Sequence, residues 1–159
     1  MRAALLAGTV LLAAAVVQPA CARQQEPAGS AEELYRTGRY EEAAAALRSA
    51  TEPAARRLLV RVLLESGRYE DAERAALNGS TAAAVPAELA NVLGEALYAR
   101  GRRAEAERAF ARAVEGESTD ALQARLNLAI ARWERGARAE ALADFDAFID
   151  IYNNGTART

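Results

Sequence analysis

Four glycines set the frame of this 159-residue chain. Gly38, Gly67, Gly101 and Gly136 stand 29, 34 and 35 residues apart, and each is followed five residues later by an alanine: Ala43, Ala72, Ala106 and Ala141. Nine residues after them come Leu47, Ala76, Phe110 and Phe145, and twelve after come Ala50, Gly79, Ala113 and Phe148. Seven before stand Ala31, Val60, Gly94 and Ala129, with Leu59, Leu93 and Leu128 immediately ahead in the last three copies. Alanine is common enough here that one such column means little; the joint set is hard to obtain by chance. A recurrence at this period belongs to stacked supersecondary units, none of which buries its apolar face alone.

The clearest copy spans residues 93–114. Leu93, Leu97 and Tyr98 fall on one helical face, and Gly94 beside Leu93 leaves a gap that another helix can approach. Ala106, Phe110 and Ala113 recur at four and three residues, the stripe of a second helix. Gly101 between them suits the left-handed residue that ends one helix and turns the next back antiparallel. All apolar periodicity in the chain is helical, and no strand pattern is present.

At these residues the chain resembles the tetratricopeptide repeat (TPR) family. The family pattern of Trp, Leu-Gly, Tyr, then Ala, Phe, Ala and Pro is best matched by Leu93-Gly94, Leu97, Gly101, Ala106, Phe110 and Ala113. Gly38-Arg39-Tyr40-Glu41-Glu42-Ala43 and Gly67-Arg68-Tyr69-Glu70-Asp71-Ala72 are similar to its inter-helix turn almost letter for letter. The resemblance covers residues 31–153 and implies an all-α fold, a right-handed superhelical array of antiparallel helix pairs (an α-solenoid), in units 31–50, 52–79, 86–116 and 119–153. Three departures stand out. The proline expected at each repeat end is missing from its usual place, the second unit is about five residues short, and Arg103 and Arg138 replace the turn tyrosine. They predict irregular stacking at some joints.

Local signals place the helices. Ser30-Ala31-Glu32-Glu33 has capping-box spacing and starts a first helix that lasts to Thr37, so the first unit is a half-formed cap whose partner helix, 40–48, depends on the next unit for burial. Pro53 fits the first turn of a helix running to Ser66, and the following helix, 69–77, stops at Asn78-Gly79-Ser80. The loop 79–85 is the longest irregular stretch and the expected soft joint. Helices 86–100 and 103–115 follow, then 120–135 capped by Thr119, then 138–152 ended by Asn153-Asn154-Gly155.

Residues 1–22 differ in kind. Arg2, an uncharged run over 3–17 and the triplet Ala20-Cys21-Ala22 describe a secretory signal peptide cut after Ala22, leaving 23–30 as a flexible lead-in. About fifteen apolar residues are fewer than the roughly 20 of a spanning helix. The alternative is a lipid on Cys21, to which Gln18 and Pro19 are poorly suited. Cleavage removes the single cysteine, so the expected product is exported, periplasmic or extracellular, without disulfide or integral membrane span.

Composition narrows the chemistry. There is no histidine, and all twenty basic residues are arginine, so the usual proton shuttle, the phosphate-loop lysine and Schiff-base chemistry are absent. No catalytic, metal or cofactor site is expected. The acids lie among arginines, as in Glu105, Glu107, Arg108 and Arg112, and read as a solvated face with i,i+4 pairs. A net charge of −2, about −3 without Arg2, is too balanced to imply nucleic acid as partner. Arginine for lysine and abundant alanine reflect a GC-rich, bacterial genome.

In TPR proteins the first helix of each pair lines a concave side that holds a peptide or a partner's helix. The resemblance therefore implies a groove formed six and ten residues before each glycine by Arg61 and Arg57, Glu95 and Asn91, and Ile130 and Leu126. Tyr35, Leu64, Tyr98 and Trp133 stand three before, and Asn91 and Asn127 are placed to bond a peptide backbone. Packing between helices is the favoured alternative for Tyr98 and Trp133, and a solvated face competes evenly for Arg57 and Arg61. The groove is expected to be basic near Arg57 and Arg61 and apolar near Ile130 and Trp133, gripping an acidic or polar segment followed by a hydrophobic one. The lysines and asparagines of the family's carboxylate clamp are not reproduced.

Two classes of function follow: an exported, non-catalytic scaffold for protein partners, or the accessory front of a larger cell-envelope enzyme such as a peptidase or peptidoglycan-processing factor. The last helix bears on the choice. Leu142, Phe145, Phe148, Ile149, Ile151 and Tyr152 cover more than one of its faces, where a terminal helix normally turns a polar side outward. The expectation is cover by a partner, by a second copy or, the favoured reading, by repeats continuing after Thr159, with 154–159 as linker.

Overall fold

The computed structural model describes residues 30–118 and 120–156. The expected signal peptide, the lead-in before Ser30, the Thr119 cap and the last three residues lie outside them. Eight α-helices follow in order: α1 Ala31–Arg36, α2 Tyr40–Ala46, α3 Pro53–Glu65, α4 Tyr69–Leu77, α5 Ala87–Ala99, α6 Arg103–Glu115, α7 Ala121–Glu134 and α8 Arg138–Thr156. Each consecutive pair forms one unit, and no strand occurs among the described residues.

The hinge between the helices of a pair is the same four times. Gly101 sits at φ 77° and donates its N–H to the Tyr98 carbonyl at 2.9 Å, while Arg102 reaches back to Leu97 at 2.9 Å. This crossed closure satisfies carbonyls that the helix end would otherwise leave without partners, and it needs a left-handed residue that glycine adopts without steric cost. Gly38, Gly67 and Gly136 repeat it, with positive φ and the same pair of bonds. At the entrance of the array the Ser30 side chain accepts from the Glu33 N–H at 3.2 Å, as its capping spacing predicts.

Packing uses the recurring small residues. Ala43, Ala72, Ala106 and Ala141 are all fully buried. Gly94 takes the notch to its limit, because a β-carbon there would lie 2.4 Å from the Phe110 ring. A continuous apolar row runs through Val60, Leu63, Ala76, Leu93, Leu97, Phe110 and Leu128, and a smaller cluster of Leu34, Ala43 and Leu47 closes on Val62 of α3. The first unit thus depends on the second for its burial, as expected of a short cap. The core is a row between neighbouring helices, with no single centre around which the chain wraps.

Carboxylates join one unit to the next. Six residues after its glycine, α4 carries Glu73, which accepts from Arg100 and, at 2.5 Å, from Arg102 of the following unit. At the same place α6 carries Glu107, held by both oxygens to Arg135 at 2.8 and 2.9 Å. Arg112 donates to the carbonyls of Ala82 and Val85, and so ties α6 to the preceding loop. The sequence reading of Glu107 and Arg112 as part of a solvated i,i+4 face is corrected here: their partners belong to other elements. A side chain projecting from the seam of two helices reaches the next helix more directly than its own following turn.

Other differences have local causes. The missing residues fall in α2, which stops after seven, where α6 has thirteen. The loop expected to be soft contains a turn of 3₁₀ helix, Ala82–Ala84, buries Val85 and is pinned by Arg112. Helix α8 runs through Asn153, Asn154 and Gly155 to Thr156, past its expected stop, because no residue there takes the left-handed turn. The turn arginines keep a contact that the tyrosines make elsewhere. Tyr35 and Tyr40 approach ring to ring at 6.0 Å, whereas Arg103 lies over the Tyr98 ring at 3.6 Å and Arg138 over Trp133 at 5.5 Å. An aromatic pair has been exchanged for a cation over a ring.

Gly94→Ala is expected to destabilise the chain by about 1–3 kcal/mol through overpacking against Phe110. Phe110→Leu in the same chain should return part of that loss in urea unfolding, and strictly additive losses would contradict the notch.

Candidate functional site

The first helices form one wall. Helix α3 packs on α5 and α5 on α7, while no comparably broad contact joins α4 to α6 or α6 to α8. Arg57 of α3 reaches Asp120 at the start of α7 at 3.2 Å, across the end of α5. Two helices separated by a third can meet only if the wall is concave on their side.

A polar ladder crosses this wall. Arg61 donates to Glu95 at 2.9 Å, Asn91 donates to the other Glu95 oxygen at 3.0 Å, Asn127 donates to the side-chain Oδ1 of Asn91 at 3.1 Å, and Gln123 to Oδ1 of Asn127 at 3.2 Å. The four-residue spacings 91/95 and 123/127 stack each pair on one helical face. Burial pushes the Glu95 carboxyl above the usual carboxylate range; Arg61 opposes the shift and nearby Asp120 adds to it. The ladder is a half-buried polar network, with Asn91 fully buried and Gln123 exposed at its end, and the pairing of its members fixes how α3, α5 and α7 sit side by side.

Two hollows flank it. The larger, about 560 Å³, lies between Glu32 and Tyr35 of α1, Arg57, Leu58 and Arg61 of α3, and Asp120, with Glu52 at its lip. The smaller, about 150 Å³, has Phe110 as its floor and Glu95, Tyr98, Asn127 and Ile130 as walls. Tyr98 donates its hydroxyl to Glu134 at 2.5 Å, a bond that raises the phenol's pKa.

Comparison with known families settles what the repeat is. The tetratricopeptide repeat family model matches residues 28–88 and again residues 91–156, each match spanning two helix pairs. The chain belongs to the tetratricopeptide repeat family. Its fold is accordingly a TPR α-solenoid, of a kind that generally binds proteins and is generally non-catalytic. A comparison with curated proteins finds no match.

Within this TPR array the residues named from the sequence fall into three groups. Arg57, Arg61, Glu95, Tyr98, Asn127 and Ile130 line the two hollows. Leu126 is half-buried, and Trp133 stands on the surface at 47 % exposure, so the packing alternative fits Tyr98 and fails for Trp133. Asn91 is completely buried and supports the wall from beneath; it cannot bond a docked backbone. The expected basic stretch is also corrected, because Arg57 and Arg61 are each matched by a carboxylate and Glu32 and Glu52 add negative charge beside them. Asp120, the residue that changes this sign, sits just ahead of α7, where the sequence suggested only a helix start. The spacing of 63 residues between it and Arg57 spans nearly two repeats and has no local signature.

Raising the pKa of Glu95 in the folded chain means that the unfolded chain loses this proton first, so its ionisation subtracts stability as pH rises through that interval. Glu95→Gln removes the ionisation and keeps an amide in place. Its stability relative to the parent chain should therefore climb between about pH 4 and pH 7 in urea unfolding. Parallel profiles would contradict the burial argument.

Proposed function

We propose that this TPR chain is an exported, non-catalytic scaffold of a bacterial envelope that holds a partner's peptide along the wall of first helices. The observation that carries this reading is the pair of hollows on that wall, one rimmed by Glu32, Glu52 and Asp120, the other walled by exposed Ile130, with Trp133 exposed on the same helix three residues on. With both wall arginines already matched by carboxylates, the segment that fits is basic or neutral at the α1 end and apolar at the α7 end. An extended peptide supplies such alternation and leaves its backbone to meet Asn127 and the rim. Export rests on the character of residues 1–22, and cleavage after Ala22 leaves Arg23 as the first residue.

The test is affinity capture from the envelope of the source organism with the parent chain and with Ile130→Glu. Ile130 is 38 % exposed, so the substitution should leave the melting temperature near its parent value while removing the captured partners. An unchanged set of partners would overturn the groove reading. Intact mass of the same preparation should begin at Arg23; a retained Met1 or a lipid on Cys21 would overturn the route of export.

A further inference from the structure

The two hollows on the inner wall share a partition. Arg61 lines the larger and Glu95 the smaller, and these two are bonded at 2.9 Å, so their ion pair stands between the spaces. The smaller hollow has a cause in its own unit. Only the third unit combines a glycine seven residues before the hinge with a phenylalanine nine after it; the others place Ala31 with Leu47, Val60 with Ala76 and Ala129 with Phe145 there. The Phe110 ring takes the place of the absent Gly94 side chain and floors the space beside Tyr98 and Ile130. Such a space, about 150 Å³, takes one benzene-sized group. The larger hollow has the Tyr35 ring and Leu58 among its walls. Arg57 and Arg61 are matched there by Asp120 and Glu95, whereas Glu32 and Glu52 are exposed and have no ion-pair partner among the described residues. Its remaining charge is negative.

We propose that this wall recognises an extended segment of a partner protein that carries a basic residue and, two positions along, a residue of leucine or phenylalanine size. The proposal rests on the groove reading above and adds the spacing. Side chains two residues apart in an extended chain leave the same face about 7 Å apart, which sets one on each side of a bonded arginine–glutamate pair. Adjacent residues leave opposite faces, and residues four apart, at about 13 Å, overshoot the smaller space. The basic side chain lays its stem along Tyr35 and Leu58 and its cation between Glu32 and Glu52. The apolar side chain enters over Phe110, and the residue between them points to solvent. This chain's own residues 23–29 do not meet the need, because Gln25 stands two places after Arg23 and no leucine-sized side chain follows it in that stretch. Nor does the opening depend on the ends of the array: a unit added before α1 or after α8 prolongs an inner wall and does not roof it.

Short fluorescent peptides of alanine and serine, each with one arginine and one leucine, test the spacing. Anisotropy at low salt should show the peptide with one residue between the two binding the chain roughly tenfold more tightly than those with none or three. Glutamate in place of the arginine should cost roughly tenfold in the parent chain and little in the variant Glu32→Gln with Glu52→Gln, which should keep its preference for leucine over serine. Equal affinity across the spacings, an arginine preference that survives the double substitution, or no binding of any peptide would overturn the proposal. The groove reading is judged apart from this, by Ile130→Glu in the envelope capture. Partners lost there with no spacing preference here would remove the motif and keep the groove.

Discussion

Close approach between helices is the constraint on which the rest of this molecule depends. Alanine occupies the fifth place after all four hinge glycines and is fully buried each time, and at Gly94 even a methyl group is too large for the Phe110 ring beside it. Small residues at fixed places let neighbouring helices settle against each other, and the larger side chains around them then bury as a row. A chain built in this way extends by adding pairs, so each unit's stability is shared with its neighbours.

Electrostatics adds register to that packing. Glu73 and Glu107 meet arginines of the following unit, and the ladder from Arg61 through Glu95 and Asn91 to Asn127 aligns three first helices on the concave wall. Having arginine as its sole basic residue type suits this role, because its planar fork can bond two oxygens at once. The same pairing removes most of the positive charge that the wall would otherwise present. What remains for a partner is a negative rim at one end and exposed apolar side chains at the other.

Much of this was legible in the sequence because its cause is local. Left-handed glycines, notch alanines and the bounds of α4 and α6 follow from residues within a few places of each other. The spacing of the inner-wall columns from the hinge is fixed by the helix, and of those columns Arg57, Arg61, Glu95 and Ile130 line the two hollows. What escaped is non-local. Nothing near Arg57 announces Asp120, and Asn91 looks like a groove residue until the ladder shows it lying under Glu95 and Asn127. Trp133 is exposed because its unit is the last described, with no further helix against it. The persistence of α8 through Gly155 shows the limit of breaker signals, which favour an end without compelling one.

Native-state hydrogen exchange resolved by helix tests the central claim most directly, since a stack held by neighbour contacts must open from its ends. The account predicts slowest exchange in α3 to α6, whose two units each have a neighbour on both sides, and faster exchange towards α1 and α2 in one direction and α7 and α8 in the other. Uniform protection, with all helices exchanging through one global opening, would contradict it.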